Sequence, residues 1–279
     1  MNTPSNYIIS ETYCVIGGKH QERSDYMSKC IVNVGTRIDL NAHVVIGGES
    51  GSGKSVTMNG LIYECYRQSV KNRLYLFDLK LVEFNRYRKI LPVYTTIEAM
   101  SAAIDALHKE MMDRYSIMSK SDEVSWSDGH IYIFIDELGD VLQNENKVLA
   151  KNIKNKIESI ARMGRAAGVH LIVATQYVIK ANVPMNLKMN CQKLVLRCNS
   201  DIGYRVISDR KYYDLKGKGD AYIVRNDGSI ERFQVPYYSN EFVKGWVKQV
   251  SEAVDRYHQA QKKQHKGLFQ KISDIILGC

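Results

Sequence analysis

One stretch constrains this chain more than any other: VVIGGESGSGKSVTMNGLIYECY, residues 44–66, where a β-type apolar run breaks into glycines and serines and then resumes with helical spacing. From Gly48 it reads G-x-x-x-x-G-K-S, closed by Gly53, Lys54 and Ser55. The strand-like run from His43 to Ile46 precedes it, and an apolar stripe of Val56, Met58, Leu61, Ile62 and Cys65 follows. Strand, Gly/Ser turn and helix in that order are the setting a phosphate-binding loop requires. Small residues let successive backbone N–H groups point inward around a polyphosphate, and the helix N-terminus adds partial positive charge. Gly48, Glu49, Ser50, Gly51, Ser52, Gly53, Lys54, Ser55 and Val56 are therefore the expected ATP-binding segment. Lys54 is expected at the β- and γ-phosphates and Ser55 on Mg²⁺. A Gly/Ser loop that matches by chance is the competing account, and the flanks argue against it.

A second motif strengthens the first. IYIFIDE, residues 131–137, is an apolar strand that ends in two acids. Beside a phosphate loop, Asp136 is placed to hold Mg²⁺ through water. Glu137 is then free to orient or deprotonate an attacking water, which points to hydrolysis rather than nucleotide binding alone. Gln176 follows the apolar strand LIVAT and is expected at the γ-phosphate or the attacking water, with a strand-end cap as the alternative. Arginine stabilises charge on a transferring phosphoryl group and is often supplied by a neighbouring subunit. Arg162, Arg165, Arg197 and Arg205 are all open to that role, and spacing does not choose among them.

Around these motifs, strands alternate with helices, which predicts an α/β fold with a mainly parallel central sheet covered on both faces. Leu74–Phe77 ends in Asp78, Ile131–Ile135 in Asp136, and Val169–Thr175 in Gln176, so the polar residues gather where such sheets bind ligands. Ile97, Met100, Ile104, Leu107 and Met111 form a helical stripe read as core. Asn226-Asp227-Gly228, between two β-type runs, marks a hairpin. At 279 residues the chain suits one large domain with trimmings, and no apolar run reaches a membrane span. Its polar start is no signal peptide, and six cysteines without CxxC spacing suit a reducing cytoplasm. The histidines show no ligand spacing and read as surface or core. A balance of 39 basic against 30 acidic residues, net +9, suits a polyanionic partner.

The blocks GGESGSGKSV, LFDLKLVEFNRY, IYIFIDELGDVL, IARMGRAAGVHLIVATQ, KLVLRCNSDIGYRVIS and LKGKGDAY, in that order over residues 35–235, resemble the motor domain of the FtsK/SpoIIIE family of DNA translocases. The resemblance implies a RecA-like P-loop NTPase core, a hexameric ring of identical subunits, and ATP-driven movement of double-stranded DNA. It supports Lys54, Ser55, Asp136, Glu137 and Gln176 in the roles above and favours Arg197 and Arg205 as the arginines facing a neighbour's nucleotide. It places Lys216, Lys218 and Arg225 near DNA in the pore, where lysines beside glycines suit phosphate contact. Two positions depart from the family pattern: Leu79 replaces a proline and Tyr177 an arginine.

The expected layout is a β-rich extension over 1–34, a RecA-like ATPase domain over 35–239, and a basic helical tail over 240–279. A stripped cytoplasmic motor of a mobile element, plasmid or phage follows, moving DNA without strong sequence preference. Its tail would reach a membrane or relaxosome partner. The chain also resembles conjugation ATPases and type VII secretion ATPases, so a ring that recruits and moves a protein substrate is the alternative. A non-catalytic assembly module is a third reading, opposed by intact Lys54, Asp136 and Glu137.

Overall fold

The computed structural model describes residues 38–176, 183–198 and 214–277. The expected N-terminal β-rich segment, Tyr177 and Arg205 lie outside them. Along the described chain run β1 (His43–Gly47), α1 (Lys54–Gln68), β2 (Arg73–Phe77), a 3-10 turn (Asn85–Tyr87), β3 (Val93–Tyr94), α2 (Ile97–Ser121), β4 (Ile131–Ile135) and α3 (Leu138–Leu142). They continue as α4 (Lys147–Met163), β5 (Val169–Thr175), α5 (Met185–Asn190), β6 (Cys191–Leu196), β7 (Asp220–Val224), β8 (Ile230–Gln234) and α6 (Asn240–Leu277).

These eight strands form one sheet in the order β3-β2-β4-β5-β1-β6-β7-β8. Pairing is parallel from β3 through β6 and antiparallel for β6–β7 and β7–β8. The expected mainly parallel sheet with flanking helices is thus what forms. Successive side chains of a strand point to opposite faces, so strands buried on both sides read as continuous apolar runs. Val45, Ile133, Ile135, Leu171 and Val173 join the core under α2 and α4, with Ile104, Leu107, Ile153 and Ile157. Val44, Ile46, Tyr132, Phe134 and Ile172 join the opposite core with Leu61 and Ile62 of α1 and Val243 of α6. The α2 stripe is buried throughout, as core. The hairpin forms where Asn226-Asp227-Gly228 marks it, turning at Gly228 (φ 83°), whose N–H donates to the Arg225 carbonyl.

His43 and His170 are fully buried, and His130 stacks on His170 with ring centroids 4.9 Å apart. Burial, with Arg165 nearby, holds His43 down at about 4, so it stays neutral. Among the described residues no helix is long and apolar enough to cross a membrane.

The first turns of α6 are part of the core. Val243, Trp246, Val247 and Ala253 are buried. The Trp246 ring meets Tyr63 and Tyr66 edge-on, each at 5.1 Å between centroids. Gly60 in α1 admits the Tyr238 ring, which a Cβ there would meet at 2.6 Å, and the Tyr238 hydroxyl donates to Glu64 at 3.1 Å. Such aromatic packing carries much of a helix's docking energy. Trp246→Ala is expected to cost about 3–5 kcal/mol of stability in chemical denaturation; a cost near zero would mean that this helix contributes nothing to the fold.

Candidate nucleotide site

The register sets the geometry. Ile46 pairs with Ala174 on one side and Leu194 on the other, and Ile135 pairs with Val173. The carboxyl ends of β2, β4, β5, β1 and β6 therefore line up, presenting Asp78, Asp136 and Glu137, Gln176, Gly48 and Arg197 along one edge of the sheet.

The phosphate loop turns where expected. Gly53 takes φ 111°, a left-handed conformation, and a Cβ there would lie 2.9 Å from the Gly219 nitrogen. Only glycine satisfies both conditions. The Glu49 N–H donates to the Arg197 carbonyl at 3.1 Å, and the Gly219 N–H to the Ser52 carbonyl at 2.8 Å. Lys54, buried at the head of α1, donates to the Gly48 and Glu49 carbonyls at 2.7 and 2.8 Å. Burial holds its ammonium below the usual lysine range, with Glu137, Asp136, Cys198 and Glu83 pulling the other way.

On the acid side, Glu137 is buried and accepts three hydrogen bonds, which leaves one acceptor site on Oε2. Its carboxylate accepts from the Thr175 hydroxyl at 2.8 Å, the Gly139 N–H at 3.1 Å and the Gln176 N–H at 2.7 Å. It thus caps α3 and ties the end of β4 to the end of β5 through the Gln176 backbone. Asp136 is pushed up to about 7, first by burial and then by Glu83, Asp78 and Glu137, with Lys80 opposing. The folded state therefore keeps a proton that the unfolded chain loses above about 3.8. This stability is present below that value and lost as pH rises through about 7. Asp136→Asn is expected to be more stable than the wild type by about 2 kcal/mol at pH 8, with the gain shrinking toward pH 5. Denaturant titrations at the two values measure it.

Two acids were not singled out in the sequence as site residues. Glu83 accepts from the Ser55 hydroxyl at 2.7 Å. Asp78, noted only as a strand end, is buried and accepts from the N–H groups of Lys80, Glu83 and Phe84, which organises the following loop.

The residues fit a Mg²⁺-nucleotide. The buried Ser52 hydroxyl inside the loop has no partner among the described residues. Ser55 and Asp136 supply oxygen donors, and no larger cluster of metal-binding side chains occurs among the described residues. Mg²⁺ commonly uses one or two protein groups and completes its shell with phosphates and water.

The remaining site residues separate. Lys216 and Lys218 are exposed on the turn that Gly219 braces against the phosphate loop. Arg225 lies at the other end of β7, about 16 Å along the strand, with its guanidinium paired to Glu231 at 2.8 Å. Arg162 and Arg165 are exposed before β5, at the amino ends of the parallel strands.

The FtsK/SpoIIIE family pattern matches residues 20–130. The DNA translocase FtsK of Staphylococcus aureus (strain Mu50) is 31% identical over 245 residues, 75% of this chain and 30% of that protein. Over these residues the chain is similar to the FtsK/SpoIIIE family. The chain spans about a third of the length of such relatives. In fold it is similar to the conjugation coupling protein TcpA of pCW3, at a TM-score of 0.69 and 22% identity over 76% of this chain and 66% of that one. The cytoplasmic domain of the type VII secretion ATPase EccC of Thermomonospora curvata aligns at a TM-score of 0.56 and 21% identity, over 75% and 27% of the two chains. These likenesses bear on the fold, a P-loop α/β core.

Proposed function

We propose that this chain is the motor unit of an ATP-hydrolysing translocase that acts on double-stranded DNA. The observation that carries the reading is the alignment of the phosphate loop, Asp136, Glu137 and Gln176 along neighbouring strand ends, with Glu137 bonded to the Gln176 backbone. Lys54 exchanges the Gly48 and Glu49 carbonyls for the β- and γ-phosphates. Ser55 and Asp136 hold Mg²⁺, which neutralises phosphate charge when bound. Glu137 and Gln176 orient the attacking water, each positioned by the other's backbone or carboxylate.

The relatives at 31% identity are named DNA translocases, and the net charge of +9 suits a polyanion. Lys216 and Lys218 contact the DNA backbone, and their turn abuts the phosphate loop, which gives the nucleotide a mechanical route to them through Gly219. Arg225, paired elsewhere, drops out of that set. The subunits form a hexameric ring in which an arginine completes a neighbour's site. Arg197 and Arg205 are the arginines the resemblance favours for that role. The likeness to a conjugation coupling protein suits a cytoplasmic motor of a plasmid, phage or other mobile element, with the end of α6 reaching a membrane or relaxosome partner. The likeness to a secretion ATPase keeps a protein substrate as the second reading.

Fluorescence anisotropy with a labelled duplex, in the presence of a non-hydrolysable ATP analogue, separates the two. Binding is expected to weaken steeply with salt and to change little with base sequence. A marked preference for one short sequence, or capture of peptides and not of DNA, would count against the DNA reading.

A further inference from the structure

The hydroxyl of Ser55 is held by a carboxylate that does not belong to either nucleotide motif. Glu83 accepts from it at 2.7 Å and is itself fixed by a built scaffold. The loop after β2 is wound around the buried Asp78 carboxylate, which accepts from Lys80, Glu83 and Phe84 N–H groups at 3.1, 2.9 and 2.9 Å. Leu81 adopts φ 62° to complete that winding, a conformation that a branched side chain takes only at an energetic cost. Phe84 and Tyr87 anchor the loop in the core, and the Tyr87 hydroxyl donates to Asn59 of α1 at 2.7 Å. On the other side, Lys80 pairs with Asp140 of α3 at 2.8 Å. The loop is therefore tied to both the helix that carries Ser55 and the helix that follows Asp136 and Glu137.

Resting on the nucleotide-binding reading above, we infer that Glu83 is a further residue of the Mg²⁺ site and makes nucleotide binding depend on the metal. Without metal, Glu83 occupies the Ser55 hydroxyl and sets a negative charge beside the incoming phosphates. With metal, it gives up Ser55 and accepts from metal-bound water. Mg²⁺ dehydrates reluctantly and keeps several waters, whose protons are good partners for a fixed carboxylate. Glu83 acts through water and Ser55, so it is a positioning residue.

Calorimetry with ADP, in Mg²⁺ and in EDTA, tests this on the full chain. The quantity read is the ratio of the two affinities. Glu83→Ala is expected to lose at least roughly tenfold of the Mg²⁺ enhancement, the size of one charge-assisted hydrogen bond, while its affinity in EDTA equals or exceeds that of the wild type. Glu83→Gln keeps the shape of the side chain and an acceptor for Ser55 but lacks the charge. It is expected to lose the enhancement in the same direction, and it carries the test if the alanine variant folds poorly. An unchanged ratio in the glutamine variant, or affinities that fall in parallel with and without metal, overturns the inference. A wild type that binds ADP under neither condition overturns the nucleotide reading itself, and the inference with it.

Discussion

Glu137→Gln is expected to bind ATP within a few-fold of the wild type and to turn it over at least about 100-fold more slowly. The carboxylate is an acceptor for three donors: Thr175, Gly139 and Gln176. An amide retains one acceptor oxygen and presents N–H groups to the remaining donors, so the water-orienting charge and the registry of Gln176 are lost together. A stability loss of about 1–2 kcal/mol should accompany the change, the usual size for a buried donor left unmatched. Binding by calorimetry and phosphate release on the same preparation separate the two effects. Turnover at the wild-type rate would remove Glu137 from the chemistry and leave it a cap of α3 and β5.

Lys54→Ala is expected to weaken nucleotide binding by about 100-fold, since it removes a buried charge whose natural partners are phosphate oxygens. That ammonium donates to two loop carbonyls, those of Gly48 and Glu49. Its burial disfavours the charged form, so the folded protein should lose little stability with it. Equal ADP affinity in the wild type and the variant would contradict the assignment of the loop.

The parts of this site that were legible in the sequence are local. Gly48 to Val56 and Ile131 to Glu137 carry their chemistry within a few residues, and the strand that presents each one is marked by its own apolar run. What escaped depends on chain segments that meet only after folding. Glu83 lies in a segment with no periodic pattern and reaches Ser55 because Asp78 winds the loop back on itself. The glycines of KGKGD suited phosphate contact by the lysines beside them, whereas Gly219 answers to its φ of 76° and to Gln234, which a Cβ there would meet at 2.6 Å. Arg225 is seven residues from Lys218 in sequence, but an extended strand carries it to the far end of the sheet. The docking of α6 had a signal in Val243, Trp246, Val247 and Val250, spaced at i, i+3, i+4 and i+7, which the basic character of the segment beyond them obscured. Three histidines distant in sequence met for the same reason, since β1 and β5 are neighbours only in the sheet.

ATP turnover by the full chain, measured with and without duplex DNA of arbitrary sequence, tests the motor assignment most directly. Turnover is expected to rise severalfold when duplex is added, and to vanish in Lys54→Ala and Glu137→Gln under both conditions. A wild type that hydrolyses no ATP, or whose turnover ignores duplex DNA and rises instead with a polypeptide, would contradict a DNA-driven motor.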